Sequence, residues 1–287
     1  MKKLTLILLI AIAKIGFAQQ DTTLVYNSPM YTKDPVRSKW RPVIKKTGEF
    51  YQVAFYDRKD VLQETISFED KDLTVRKGPY VGYRNGKVKE KGSYEKGHKH
   101  GEWIAYGTTE EVSRTENFVY GKLDGKYIRY WDGKQIQEEG IYSSNKKVKT
   151  WKLAYKDGKI AGEEMYDEAG KKLESKYYYS NGEQAKYEDL FSPPTYDGGI
   201  KEFYKFLASE IKYPKQSAKL GIKGTVKLSF TVKKNGDVED VEVLESPNNE
   251  LATEAIRVLE MAPDWIPGKQ FGEVVNVKYN IPIKFSL

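Results

Sequence analysis

Two kinds of hydrophobic spacing divide this chain. Between Glu49 and Tyr187, aromatic and aliphatic positions alternate with Lys, Glu and Asp in short runs bounded by Gly, Asn and Asp, the pattern of half-covered β-strands. From Ile200 onward the spacing becomes helical, then alternating, then helical, then alternating again.

The first region repeats. Aromatics fall 24 residues apart at Tyr94, Phe118, Tyr142 and Tyr166, and a second series falls at Trp103, Tyr127 and Trp151. Gly97, Gly121 and Asn145 keep the same register, as do Gly101 and Gly125. A fixed period of this length marks a stacked repeat. Asn85-Gly86, Asp132-Gly133, Asp157-Gly158 and Asn181-Gly182 each follow an aromatic-bearing strand and read as two-residue hairpin turns. A second turn is expected between the paired aromatics, as in Lys96–Gly101. Glu49–Asp60 and Gly78–Lys87 look like degenerate copies, so a mostly β, antiparallel hairpin meander is expected over 49–187. Its aromatic stripe is either the core of a sheet with one face covered or a ligand groove.

"LFSPPTYDGG" breaks the pattern with Pro193-Pro194 and Gly198-Gly199, so a linker is expected at 188–199. Beyond it, a small α+β domain is expected at 200–287. Ile200, Phe203, Tyr204, Leu207 and Ile211 share a helical face, and Tyr213-Pro214 ends that helix. Ser217–Leu220 reads as a connector, and Gly221 and Gly224 lead into a strand over Thr225–Lys233. Asn235-Gly236 turns the chain into Val238–Leu244. Ser246–Asn249 caps a second helix with Leu251, Ala255, Val258, Leu259 and Ala262 on one face, ended by Pro263. A loop with Trp265, Pro267 and Gly268 precedes a last strand whose apolar face runs from Val275 to Phe285. Pro282 in that strand cannot donate to a ladder, which favours an edge position. An exposed edge offers unpaired N–H and C=O groups to an extended peptide. The expected peptide-binding positions are Val274, Val275, Asn276, Val277, Lys278, Tyr279, Asn280 and Ile281. Alternatively, the edge is covered by the chain's own linker or by a second copy.

Composition narrows the function classes. Among 287 residues there are 22 Tyr and 11 Phe, suited to strands and half-wet sheet faces. The net charge of +7 includes Lys2, Lys3 and Lys14, and the remaining basic residues alternate with acids, so no nucleic-acid partner is expected. The absence of Cys excludes disulfides, thiolate metal sites and a Cys nucleophile. His98 and His100, the only histidines, sit in an expected turn and lack the third ligand that zinc needs. No Ser-His-Asp set or phosphate loop stands out, so neither an enzyme nor a cofactor is expected. Met1–Lys3 is basic, Leu4–Ala13 is apolar, and Gly16-Phe17-Ala18 ends in a small-residue cleavage pattern. As a helix, Leu4–Ala18 spans about 22 Å, short of the roughly 30 Å hydrocarbon core. The expected organisation is therefore a signal peptide at 1–18, a segment at 19–48, and a mature protein outside the cytoplasm. An uncleaved inner-membrane anchor is the alternative.

Two resemblances add to this. "GSYEKGHKHGEWIAY", with Gly92-x-Tyr94 and the Gly97–Gly101 and Gly121–Gly125 spacings, resembles the divergent MORN-type repeats. That implies a scaffold for protein or lipid contact. Asn145 and Lys149 depart from the pattern in the third copy.

The segment from Gly199 to Leu287 resembles the TonB C-terminal domain. It carries Tyr213-Pro214, Ala218, Gly221-x-x-Gly224, Gly236-x-Val238, Leu251-x-x-x-Ala255 and the Pro263-x-Trp265-x-Pro267-Gly268 run, in order. This resemblance implies a periplasmic TonB-like energy-transducer relative. Such a protein grips the N-terminal peptide of an outer-membrane receptor and takes part in transmembrane transport, beside an inner-membrane transport complex. The chain departs from a standard transducer in its cleavable signal and its lack of a long Pro-rich spacer. The rival function is an envelope scaffold or adhesion protein whose repeats bind lipid, glycan or protein.

Overall fold

The computed structural model describes residues 40–287. The segment 1–18, expected as a signal peptide, and the stretch up to residue 39 lie outside the described residues. Thirteen strands follow one another in chain order as a β-meander: β1 (Arg41–Thr47), β2 (Phe50–Tyr56), β3 (Leu62–Phe68), β4 (Arg76–Arg84), β5 (Lys87–Glu95), β6 (His98–Tyr106), β7 (Val112–Val119), β8 (Lys122–Tyr130), β9 (Ile136–Ser143), β10 (Lys146–Ala154), β11 (Ile160–Tyr166), β12 (Lys172–Tyr178) and β13 (Gln184–Ala185).

Two turn designs alternate along the repeat. Asn85-Gly86, Lys96-Gly97, Tyr120-Gly121 and Ser144-Asn145 are two-residue turns with positive φ at both positions. This geometry matches the strand twist. The N–H at each later tip reaches back one unit: Gly97 to the Arg76 carbonyl, Gly121 to Lys99 and Asn145 to Leu123, each at 2.8 Å. Those bonds are a physical basis for the 24-residue period.

The other connections are longer than the dipeptides suggested. Asp132-Gly133, Asp157-Gly158 and Asn181-Gly182 lie inside five-residue turns, closed by N–H to C=O bonds from Trp131 to Gln135 (2.8 Å), Tyr155 to Lys159 (2.9 Å) and Tyr179 to Glu183 (2.8 Å). The reason lies in the side chains. Asp157 Oδ1 accepts the Lys159 N–H at 3.1 Å and Asn181 Oδ1 accepts the Glu183 N–H at 3.0 Å, local bonds that set a wider loop.

Gly101 and Gly125 also differ from expectation. They lie within β6 and β8, at φ +71° and +108°, where three residues oppose one across the ladder. In the third copy Lys149 takes the same left-handed conformation at φ +60°. His98 and His100 likewise belong to strand β6 and not to a turn.

The repeat aromatics share one face of the sheet. Tyr94, Trp103, Tyr127 and Trp151 are buried, while Phe118, Tyr142 and Tyr166 are half-buried. Glycine lets two rings lie flat on the neighbouring strand: a methyl at Gly92 would overlap the Trp103 ring, and one at Gly140 the Trp151 ring. Each indole N–H then donates to that strand, Trp103 to the Ser93 carbonyl and Trp151 to the Ile141 carbonyl, both at 3.1 Å. Cations from the same face cap the rings. Lys99 Nζ stands 3.8 Å from the Trp103 centroid and Lys147 Nζ 4.1 Å from that of Trp151. Glu90 and Glu138 pair with those lysines at 3.3 and 2.8 Å.

The chain divides into two compact units. One holds the described residues up to Trp151 together with Tyr166–Lys171, and the other holds Lys152–Met165 and Lys172–Leu287. Besides β12 and β13, the second unit contains helices α1 (Tyr187–Leu190), α2 (Ile200–Glu210), α3 (Lys215–Lys219) and α4 (Asn249–Glu260), and strands β14 (Gly224–Val232), β15 (Val238–Glu245), β16 (Gly268–Gln270), β17 (Glu273–Val275) and β18 (Val277–Phe285). The three-stranded sheet has the order β15-β14-β18, and β16 and β17 form a separate hairpin. Helices α2 and α4 supply Phe203, Leu207, Leu251, Ala255, Val258 and Leu259 to a core with Val226, Leu228, Phe230, Ile281 and Ile283. Asn248 caps α4, its Oδ1 accepting the Leu251 N–H at 2.9 Å.

The segment expected as a linker is tied down in this unit. Ser192 and Lys269 exchange both backbone bonds, at 3.2 and 2.9 Å, and Thr195 and Ile266 do the same at 2.9 and 2.7 Å. Leu190 and Tyr196 are buried. The tip of the hairpin packs on the β10–β11 turn: Phe271, at φ +55°, lies between Tyr155 (5.7 Å between centroids) and Phe191 (5.0 Å). The single last strand expected from Val274 is therefore split at Asn276. Val274 and Val275 belong to β17, where they already pair with Lys269 and Gly268. Gly268 is what allows this closeness, since a methyl there would press on Val277, the Ser192 carbonyl and Pro194.

Candidate functional site: the outer edge of the last strand

Strand β18 pairs with β14 in an unbroken antiparallel register of nine residues, from Gly224 opposite Phe285 to Val232 opposite Val277. No other described strand lies on its far side. Its side chains alternate as the sequence requires: Ile281, Ile283 and Phe285 are buried, and Lys278, Asn280, Pro282 and Lys284 are exposed. Pro282 fixes which backbone groups point where. It has no N–H, so the Lys227–Pro282 pair is not one of the mutually bonded pairs. In an antiparallel ladder those alternate with unbonded pairs. Lys278, Asn280, Pro282 and Lys284 therefore turn their backbone groups away from β14. In agreement, the Pro282 carbonyl accepts a bond from the Tyr204 hydroxyl of α2, at 3.3 Å.

Two clefts flank this edge. At the Pro282–Lys284 end, a cleft of about 430 Å³ has Leu207 and Ala208 of α2 and Ile211 just beyond it as its apolar wall, with Tyr204 and Lys284 at the rim. At the Val277 end, a second cleft of about 400 Å³ lies between Tyr187, Phe191 and Pro193 on one side and Lys269 and Asn276 on the other.

The opposite edge of the same sheet, β15, is built differently. Its pairing with β14 is interrupted twice, between Lys227 and Leu228 and between Ser229 and Thr231, and Asp240 has φ +54°. It carries Glu239, Asp240, Glu242 and Glu245, three of which pair with Lys233, Lys278 and Lys227. Bulges and charges of this kind block pairing with another chain.

The family-type residues hold this edge in place. The Tyr213 hydroxyl donates to the Ile222 carbonyl at 2.6 Å, and its ring packs on Phe285. Pro214 begins α3. Gly221 has φ +65°, and Gly224 sits so close to Pro247 that a side chain would collide. The Pro263–Gly268 loop carries Trp265 into the core between Phe203 and Phe230, and the Trp265 N–H bonds the Gly236 carbonyl at 2.9 Å.

Sequence reasoning missed the polar ties between α2, α3 and α4. Ser217, expected in a connector, is buried and donates to Glu250 Oε2 at 2.6 Å while accepting from Asn248 at 2.8 Å. Arg257 grips Glu254 with two bonds, at 2.8 and 2.6 Å, and caps the α2 terminus at the Glu210 carbonyl. The Arg257 bonds, against the opposing effect of burial and with help from the Lys212 N–H, hold the Glu254 carboxyl below its usual pKa. Ser217 left no periodic signal, because its partner lies 33 residues away.

Among the described residues there is no cluster of three or more His, Cys, Asp or Glu placed to hold a metal. No described helix is long and apolar enough to cross a membrane. No curated protein matches the chain. Residues 209–287 match the family model described as the Gram-negative bacterial TonB protein C-terminal, a non-enzymatic interaction domain of envelope proteins that engages outer-membrane receptors. The matched residues take in the whole β15-β14-β18 sheet and its free edge. The likeness to the TonB C-terminal family thus covers residues 209–287, the C-terminal part of this chain.

Proposed function

We propose that this is a periplasmic protein whose β18 edge captures an extended N-terminal segment of an outer-membrane receptor as an added strand, in the service of outer-membrane transport. The observation that carries this is the contrast between a straight, unpaired edge at β18 and a bulged, acidic edge at β15 on the same sheet. Main-chain bonds to Lys278, Asn280, Pro282 and Lys284 supply affinity, and the apolar cleft beside α2 selects a side chain. The repeat sheet serves as a scaffold. Its buried Trp103 and Trp151 rings are sealed by their own lysines, which weighs against a lipid or glycan groove on that face.

The test uses the full mature chain and an array of overlapping peptides tiling the N-terminal segments of outer-membrane barrel proteins. Binding is expected in the wild type and lost in Asn280→Pro, which removes an outward N–H and leaves the β14 ladder intact. Equal binding by a folded Asn280→Pro protein sinks the proposal.

A further inference from the structure

The cleft at the Val277 end takes one wall, Tyr187, Phe191, Ser192 and Pro193, from residues that precede the family segment, and it has a chemistry of its own. Two of its walls are fixed to each other: Ser192 and Lys269 exchange both backbone hydrogen bonds, and Gly268 gives Val277 and Pro194 the room to close on it. Tyr187 and Phe191, whose ring centroids are 5.3 Å apart, form an aromatic side. Lys269 is the single charged residue among those lining the cleft. Asn276 Oδ1 is occupied by the Lys234 N–H at 3.0 Å, which leaves the amide nitrogen of Asn276 as a donor. Asp189, the acid whose charge feels Lys269, is already held by the Tyr179 hydroxyl at 2.8 Å and the Lys186 N–H at 3.2 Å. The cleft therefore offers an ammonium and an amide donor beside aromatic surface, with no carboxylate in its lining.

We infer that this cleft is a second recognition site, continuous with the β18 edge, that takes an acidic side chain on the flank of the captured peptide. The inference rests on the β18 edge being the peptide site. The spacing is set by the strand. Val277 and Pro282 are separated by five rises of about 3.3 Å, so the acidic residue lies about five residues from the one seated against α2. The ammonium of Lys269 and the amide of Asn276 bind its carboxylate, and the Tyr187 ring covers its methylene stem. Lys269 and Asn276 belong to residues 209–287, whereas Tyr187, Phe191 and Pro193 lie outside them, so the aromatic side of this contact comes from beyond the family segment.

The experiment takes the strongest binder from the peptide array and a set of its variants in which each Asp or Glu is changed to the amide. Fluorescence polarisation measures their binding to full-length wild type, Lys269→Glu, and Lys219→Glu as a charge-matched control away from the cleft. Lys269→Glu is expected to weaken the parent peptide about tenfold. One amide variant is expected to bind wild type equally weakly and to lose nothing further on Lys269→Glu, the signature of a coupled pair. Lys219→Glu is expected to bind as wild type. If Asn280→Pro abolishes binding but Lys269→Glu and wild type bind every peptide alike, the second site is refuted and the edge stands. If no peptide binds the wild type, or Asn280→Pro binds as well as wild type, both fall together.

Discussion

The large sheet and the small one handle unpaired strand edges in opposite ways. In the meander each interior strand is flanked by its neighbours in sequence, and only β1 and the two-residue β13 stand at its ends. Two of its buried rings, Trp103 and Trp151, are capped by lysines from the same face. The three-stranded sheet has as many edges as interior space allows: two of its three strands are edges, one disarmed by bulges and acids, the other straight and open. A chain built throughout like the meander would resist aggregation and bind little. The small sheet accepts one exposed edge, and the contrast with β15 indicates that the exposure at β18 is selective.

Several changes would break or sharpen this contrast. The largest effect is expected from Trp151→Ala, which deletes a fully buried ring from the sealed face. It should cost about 3–5 kcal/mol, read by denaturant unfolding of the full chain. Next comes the open edge. Asn280→Pro should weaken peptide binding at least about a hundredfold, roughly 2.7 kcal/mol, while Val243→Lys on β15 leaves it unchanged. Loss of binding in both would erase the distinction between the edges. Gly140→Ala places a methyl against the Trp151 ring and should destabilise the sheet by about 1–3 kcal/mol. Lys149→Gly should stabilise it by about 0.5–1 kcal/mol, because glycine takes φ +60° without the clash a side chain meets. A loss of stability there would show that the lysine does more than fill a glycine place.

The smallest effect concerns alkaline pH. Burial, reinforced by Tyr127 and Glu138, pushes the Tyr142 hydroxyl up to about 12 from an ordinary value near 10. The unfolded chain releases that proton first, so the stability Tyr142 contributes is full below pH 10 and is lost as pH rises from 10 through about 12. Tyr142→Phe should flatten that part of the pH–stability curve. An unchanged slope would mean the ring is wetter than its packing implies.

What could be read from the sequence follows how locally each feature is encoded. The 24-residue spacing from Tyr94 to Tyr166 specified the meander, because each hairpin partner is a near neighbour in sequence. The α4 face, the Asn248 cap and the β14 and β15 boundaries were equally legible, whereas of the expected α2 face only Phe203 and Leu207 are buried, Ile200 and Tyr204 being exposed and Ile211 lying past the helix end. The five-residue turns were not, since an Asp-Gly pair fits both the tight turn and the wider loop that the Asp157 side chain selects. The break at Asn276 was hidden because Val274 and Val275 continue the alternation of β18 while pairing instead with Lys269 and Gly268. The edge itself was legible from Pro282. Its second cleft was not, because it brings Tyr187 and Phe191 beside Lys269, contacts between segments about eighty residues apart that no local spacing records.

Phe271 has a practical consequence for anyone dividing this molecule. It holds a left-handed backbone at a hairpin tip because its ring is sheltered between Tyr155 and Phe191. A fragment cut at Gly199, where the proline and glycine pairs invite the knife, would leave that ring in solvent and the hairpin without its seat. A fragment beginning at Lys152 keeps both neighbours, and it is the shorter piece in which the β18 edge should be expected to behave as it does in the whole.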